Sequence, residues 1–398
     1  MSDLGKEGQH IRPVRPEDGP SVVHFLNQVF GAWGSLDDWQ WKHQAPPAPF
    51  RLDSVLAERD GRIVGHYGLL PVEARWGGQV VRAAQAVDAG VLPAYRHRGM
   101  FTALAREALG RAIDAGVTLI YAFPGLLSLD VNLQLGYRSV AFVPEMVRVL
   151  SLRRALALAL SRLPGDLGTL WAMRRQAAWT PTAVARVTRL RRALLLAASW
   201  ASTPHLAAPR GPGQPRCDRL VLRPLDGFDA RFDALWASTG DTIGLGLCKN
   251  ARYLAWRYRA RASCLYPVIV AEEGDQLLGC VVMRHAGLRS QIADLLAVPQ
   301  RTDVVSGLLS AAIARARNAG SILLSAWAPA WEPHHASLRR AGFVSSWRLH
   351  ELAERRPALA RFFYQVIAYT KHLSPERQAQ LAVQVKAWSL SMGDSDLV

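Results

Sequence analysis

The sequence predicts an α+β architecture of two tandem domains, each a mixed and mainly antiparallel sheet flanked by helices. Three observations carry this expectation. A chain of 398 residues exceeds what one hydrophobic core serves and suits two. Compared with itself, the chain shows features recurring in one order in its two halves. Between the two copies lies a stretch rich in leucine and arginine.

In chain order, an aromatic and basic cluster comes first, "DDWQWKHQ" in one copy and "RYLAWRYRAR" in the other. A strand, tight turn and second strand follow, as "VLAERDGRIVGHYGL" at 55–69 and "IVAEEGDQLLGCVVM" at 269–283, with Ala57, Glu58 and Gly65 falling on Ala271, Glu272 and Gly279. A third strand ends at Pro93 or Pro299. An amphipathic helix then runs to Gly116 or Gly320, a strand reads "TLIYAFP" or "ILLSAWAP", and a last helix leads to "LGY" or "AGF". Residues 151–205 read as two or three helices and hold nine arginines against the single Asp166. "STPHLAAPRGPGQPR" makes a Pro/Gly-rich linker. The expected domains are therefore 1–150, a basic insert and linker at 151–216, a second domain at 217–375, and a C-terminal helix and tail at 376–398.

Half the residues are apolar and a fifth charged, an ordinary globular balance. The formal charge of +16 points to anionic partners without choosing among phosphates, nucleotides, nucleic acid and acidic lipid. Cys217, Cys248, Cys264 and Cys280 form no CxxC pair and are expected to be reduced. The polar N-terminal stretch and the lack of a long apolar run predict a cytoplasmic protein, soluble or peripheral to a membrane. HExxH, GxSxG and GxxxxGK[ST] are absent, so no metal is expected and three enzyme classes lose their usual support. No nucleic-acid reader module is recognisable, so no specific nucleic acid is expected.

The chemistry concentrates in "VDAGVLPAYRHRGMFTALAREAL" at 87–109. Gly99 sits where strand becomes helix. Free amides there converge with the helix dipole into an anion site, a residue without Cβ lets a phosphate approach, and Arg96 and Arg98 add charge at the rim. This stretch resembles the acetyl-CoA-binding motif of the GCN5-related N-acetyltransferases (GNAT), with Arg96 in its first position and Gly99 at its centre. Phe101 replaces the last small residue, as in the tandem-domain enhanced-intracellular-survival type. The order of elements is also similar to that family, well over 11–148 and faintly over 219–370.

The resemblance implies acetyl-CoA as co-substrate and an amine of a small molecule or amino sugar as acceptor, attacking the thioester directly. Backbone groups near Ala89 and Val91 would pair with the pantetheine arm, the Val91 amide facing the oxyanion. The amides of Arg98, Gly99, Met100, Phe101 and Thr102 would cradle the pyrophosphate. Asp88, the one carboxylate on the strand entering the motif, is the candidate base. For the acid, the family often has a tyrosine four residues before the Gly-aromatic pair, where this chain has Asn132; Tyr121 and Ser128 remain, and Tyr137 reads as core. Gly125 stands where relatives often carry Asn. Trp39 and Trp41, in a cluster with Trp33, fall in the region that roofs the acceptor pocket.

The second copy reads "QRTDVVSGLL" after Pro299, without Arg-x-x-Gly and with Asp303 where phosphate would sit, so it is expected not to bind CoA in this way. Arg252, Trp256, Arg257, Tyr258 and Arg259 fit either an acidic acceptor or packing between domains. Two alternatives stay open: a ligase moving amino acids from aminoacyl-tRNA to cell-wall precursors, and a non-catalytic adaptor whose basic helices at 151–205 lie on an anionic membrane surface. Acceptor, acyl length and oligomeric state are not legible.

Overall fold

A computed structural model describes residues 9–125, 128–151, 153–154, 219–240, 242–258, 265–345, 365–384 and 388–395. Most of the basic segment expected to be helical at 151–205, together with the linker, Arg259, Cys217 and Cys264, lies outside the described residues. The chain divides into two compact units, Met1–Ala141 with Val366–Val385, and Phe142–Gln365 with Lys386–Val398.

In the first unit, β1 (Gln9–Pro13), β2 (Val55–Arg59), β3 (Arg62–Trp76) and β4 (Gln79–Val91) form an antiparallel run. β5 (Leu119–Ala122) adds in parallel to β4, and the sheet continues through β15 (Gln365–Tyr369) to β6 (Tyr137–Phe142). Nearly all of β3 is buried, because helices cover both its faces. Alternation sorts them. Gly65 and Tyr67 face α3 (Met100–Asp114): a Cβ on Gly65 would meet Leu104 at 2.7 Å, and the Tyr67 and Phe101 rings pack edge to face. His66 and Gly68 face the other layer, against Phe25 of α1 (Gly19–Phe30) and His43. His43 lies in a wide helical turn, Gln40–Gln44, that continues α2 (Leu36–Trp39). Ser35 starts α2 with a reciprocal cap, its hydroxyl accepting from Asp38 N–H and the Asp38 carboxylate accepting from Ser35 N–H. α4 (Leu129–Leu135) follows β5.

The second unit repeats the plan. β10 (Val268–Glu273), β11 (Gln276–Ala286) and β12 (Arg289–Ala297) run antiparallel, β13 (Leu323–Trp327) adds in parallel to β12, and β8 (Leu220–Leu225) closes one edge. α7 (Thr302–Asn318) stands for α3, and Gly279 meets Val304 and Leu308 as Gly65 meets Met100 and Leu104. α5 (Arg231–Gly240), a short β9 (Leu245–Leu247), α6 (Ala251–Arg257) and α8 (His335–Arg340) complete the second repeat's described elements. Among the described cysteines, Cys248 and Cys280 are buried. No described helix is long and apolar enough to cross a membrane.

The sheets depart from the boundaries expected at 150 and 375. β7 (Glu145–Val149) sits in the second unit's sheet between β13 and β14 (Val344–Ser345). β15, from the far end of the second repeat, sits in the first unit's sheet between β5 and β6. Each repeat thus gives its last strand to the other's sheet. α9 (Pro375–Gln384), expected as a separate C-terminal helix, belongs to the first unit.

Close approach of strands sets the tightest packing. A Cβ on Gly68 would lie 2.6 Å from the Val87 carbonyl oxygen, and one on Gly279 2.7 Å from that of Leu296, both backbone atoms that cannot swing away. Gly68→Ala and Gly279→Ala are each expected to cost about 1–3 kcal/mol in urea unfolding. Gly110→Ala, in α3 with nothing within 4 Å of its Cβ, is expected to be neutral or stabilising.

Candidate active site

The site grows from an irregularity in β4. His66 pairs with Gly90 and Gly68 with Val87, so Tyr67 alone opposes Asp88 and Ala89. This is a β-bulge, and Asp88 takes the left-handed φ of +50° within it. For a residue with a Cβ that conformation costs roughly 1–2 kcal/mol, so something must hold it.

Four donors do. The buried carboxylate accepts from Trp33 Nε1 at 2.8 Å, Lys42 Nζ at 3.0 Å and His43 Nε2 at 2.9 Å. His66 Nδ1 donates to the Asp88 carbonyl oxygen at 2.8 Å. Burial alone would raise the Asp88 pKa; the Lys42 charge and the bonds from His43 and Trp33 outweigh it and hold the carboxyl far below the usual range. His66 is pushed the other way. Burial, then the neighbouring His43, lower its pKa to about 4, so the imidazole is neutral with its proton on Nδ1.

Beyond the bulge the sheet opens. β4 pairs with β5 only from Ala83 to Ala86, against Leu119 to Ala122. The remainder of β4, Val87–Val91, runs on past the end of β5 at Ala122, so no β5 residue pairs with it, and this unpaired side is the slot. At the slot's end Arg96 Nε donates to the Val91 carbonyl at 3.0 Å. Gly99 then takes φ +77° and opens α3. The first helical bond runs from Ala103 N–H to Gly99 C=O, so the amides of Met100, Phe101 and Thr102 precede the ladder. No atom lies within 4 Å of where a Gly99 Cβ would be. The cradle is open, positive at the dipole, and free of side chain, which fits a pyrophosphate.

The expected site residues therefore divide. Ala89, Val91, Arg96, Arg98, Gly99, Met100, Phe101 and Thr102 lie along the slot and cradle, although the Met100 side chain is buried and Phe101 packs on Tyr67. Arg98 is exposed. Asp88 is present but changes character: a carboxylate held by three donors and far below its usual pKa is a weak proton acceptor, which argues against its expected role as base. Ser128 donates its hydroxyl to the Gly125 carbonyl at 3.2 Å, so that proton is committed. Tyr121 is buried in β5, one residue before that strand ends. Tyr137 is core as expected, hydrogen-bonded to the Tyr67 hydroxyl at 3.0 Å. Trp39 and Trp41 are both buried, and Trp39 packs under α1 against Gly19.

Lys42, His43 and His66 are the residues that reading the sequence alone missed. A signal was available in the repeat. Counting from Trp41 and Trp256 places Lys42 on Arg257 and His43 on Tyr258, and counting back from Pro93 and Pro299 places Asp88 on Asp294. The second unit holds Asp294 in the same manner, with Tyr258 donating its hydroxyl in a short bond and Lys249 Nζ donating at 2.5 Å. There Arg257 turns instead to the Gly393 and Ser395 carbonyls, which answers the expectation of an acidic acceptor at this residue with an internal contact. The α7 N-terminus carries Asp303, paired with Arg301 at 2.8 Å, and Arg301 also reaches Glu273 at 3.1 Å. An anion of the chain's own already occupies that helix end.

Residues 10–140 match the family described as an acetyltransferase (GNAT) domain. Over the longer chain, a conserved protein of unknown function from Enterococcus faecalis V583, described as a probable N-acyltransferase, superposes with a TM-score of 0.58 at 12% identity, covering 90% of this chain and 72% of that one. A GCN5-related N-acetyltransferase from Anabaena variabilis ATCC 29413 gives 0.57 at 11% identity, covering 90% and 72%. One from Kribbella flavida gives 0.53 at 16%, covering 84% and 68%. No curated protein matches in sequence. At these identities the structural likeness shows the fold. Residues 10–140 thus resemble a GNAT acetyltransferase domain, and both units share the fold of these acyltransferase structures.

The buried His66 makes stability depend on pH. Its folded pKa of about 4 lies below the ordinary 6.5, so the unfolded chain takes the proton first and stability is lost as pH falls from 6.5 to 4. His66→Asn is expected to remove this loss. Urea unfolding at pH 7.5 and pH 4.5 should show the variant gaining on the wild type by up to about 3 kcal/mol at the lower pH, at about 1.4 kcal/mol per unit of separation.

Proposed function

We propose that the first unit is an acyl-CoA-dependent N-acyltransferase that moves an acetyl group from acetyl-CoA to an amine of a small molecule. One observation carries this reading: Gly99, in left-handed conformation, opens the 15-residue helix α3 with empty space where its Cβ would be, at the end of a slot where β4 and β5 part.

The Met100, Phe101 and Thr102 amides bind the pyrophosphate, with Arg98 and the helix dipole adding positive potential. Backbone groups of Ala89 and Val91 along the unpaired end of β4 take the pantetheine arm. Bound there, acetyl-CoA supplies an activated thioester carbonyl. An N–H of β4 directed at that carbonyl stabilises the oxyanion that develops when the neutral amine attacks. Asp88 serves as a fixed anion that ties the helical turn bearing Lys42 and His43 to β4, and so shapes the acceptor side. Tyr121 is the candidate that stays for the proton of the leaving thiolate, since Ser128 spends its hydroxyl on Gly125.

The ligase and adaptor alternatives draw on the basic residues 151–205, most of which lie outside the described residues. The cradle at Gly99 favours neither, because it serves a pyrophosphate.

Thermal unfolding with and without acetyl-CoA tests the proposal. At about 100 times its dissociation constant the ligand should stabilise the wild type by roughly 2.7 kcal/mol, and Gly99→Asp, which fills the cradle with a negative side chain at a strained φ, should abolish the shift. A wild type that shows no shift would contradict the assignment.

A further inference from the structure

We propose that His66 is a positioning residue for the acyl donor: by holding the Asp88 carbonyl it orients the Asp88–Ala89 peptide so that the Ala89 N–H faces the slot. The inference rests on the acyl-CoA reading above and extends it to a residue on a neighbouring strand.

His66 is fully buried on β3, and its one hydrogen bond runs from Nδ1 to the Asp88 oxygen at 2.8 Å. A carbonyl only accepts, so this ring nitrogen must carry the proton. The bulge leaves that carbonyl outside the regular β3–β4 pairing, since Asp88 is the extra residue between the His66–Gly90 and Gly68–Val87 pairs. The imidazole is the side-chain donor that meets it there, and without it that bond is lost. The peptide is planar and trans, so its C=O and N–H point in opposite directions. Fixing the carbonyl on the imidazole turns the Ala89 N–H away from it. Ala89 lies three residues past Ala86, the last β4 residue paired with β5, and is half-buried between the buried Asp88 and Gly90. The other ring nitrogen, Nε2, is buried with no partner, so the ring's polar contribution is confined to this bond.

The second repeat provides an internal comparison. Gly65 aligns with Gly279, which places His66 on Cys280. There the pairing runs regularly through Cys280–Leu296, Val281–Leu295 and Val282–Asp294, and the extra residue is displaced to Ala293. Asp294 keeps its buried partners, yet it is not among the described residues with positive φ, whereas Asp88 is. The carboxylate cluster alone therefore does not produce the kink. The copy that lacks the imidazole also lacks the open cradle at its helix end.

Asparagine tests this directly, because its Nδ2 sits where histidine has Nδ1. In calorimetric titrations of the full chain, His66→Leu should weaken acetyl-CoA binding by about tenfold or more, the order expected for one lost buried hydrogen bond with a displaced peptide. The same variant should keep its affinity for 3′-phosphoadenosine 5′-diphosphate, which fills the cradle but has no pantetheine. His66→Asn should bind both ligands like the wild type. His66→Gln, whose amide lies one bond further out, should behave as leucine does and serves in its place if His66→Leu fails to fold. Unchanged acetyl-CoA affinity in the leucine or glutamine variant, or an asparagine variant as weak as these, would overturn the assignment. A wild type that binds neither ligand overturns the acyl-CoA reading, and this one with it.

Discussion

The buried carboxylate of Asp88 is the interaction on which the site depends. Removing a carboxylate from water costs several kcal/mol unless its lone pairs are met. Here Trp33, Lys42 and His43 meet them, and all three come from the segment between α1 and β2. Those bonds fasten that segment to β4 where β4 is about to lose its neighbour. They also help Asp88 keep a backbone conformation that a side-chain-bearing residue avoids. The ion and the His66 bond to the Asp88 carbonyl together hold the bulge at the point where the pairing with β5 stops.

The two repeats show which parts of this design are structural and which are chemical. Both keep the glycine that lets the helix approach the hairpin, the aspartate on the third strand of the repeat, and a basic partner for it. These belong to the fold. The first unit alone has the left-handed kink at that aspartate and the empty glycine cradle. The second has an Arg–Asp pair at the helix start and its own C-terminal residues against Tyr258 and Arg257. Internal contacts stand in the second unit where the first has an open helix start, while the sheet is common to both.

Much of this was legible from residue order. The position of Gly99 between a strand and an amphipathic helix is as the residue order predicts, and the repeat predicts two similar sheets. The function of Asp88 was harder to read because a bulge adds one residue and reverses the faces that follow, so alternation along "QAVDAGV" misstates what the side chain meets. His66 was missed because its partner is a carbonyl, which leaves no mark in a pattern of side chains. The crossing of β7 and β15 was invisible for a related reason: "EMVRV" and "QVIAY" read as strands, and strand propensity does not name the sheet that receives them. Trp39 and Trp41 were assigned to a pocket by position; both are buried, Trp39 against Gly19.

The central claim is that one of two similar units takes the acyl donor and does so at the end of β4 and the start of α3. Backbone amide resonances of the deuterated protein, followed by transverse-relaxation-optimised NMR during an acetyl-CoA titration, test it most directly. The account predicts saturable shifts at Ala89 and at Gly99 to Thr102, with Arg301 to Val304 unmoved. Shifts confined to α7, or equal shifts in both helices, would contradict it.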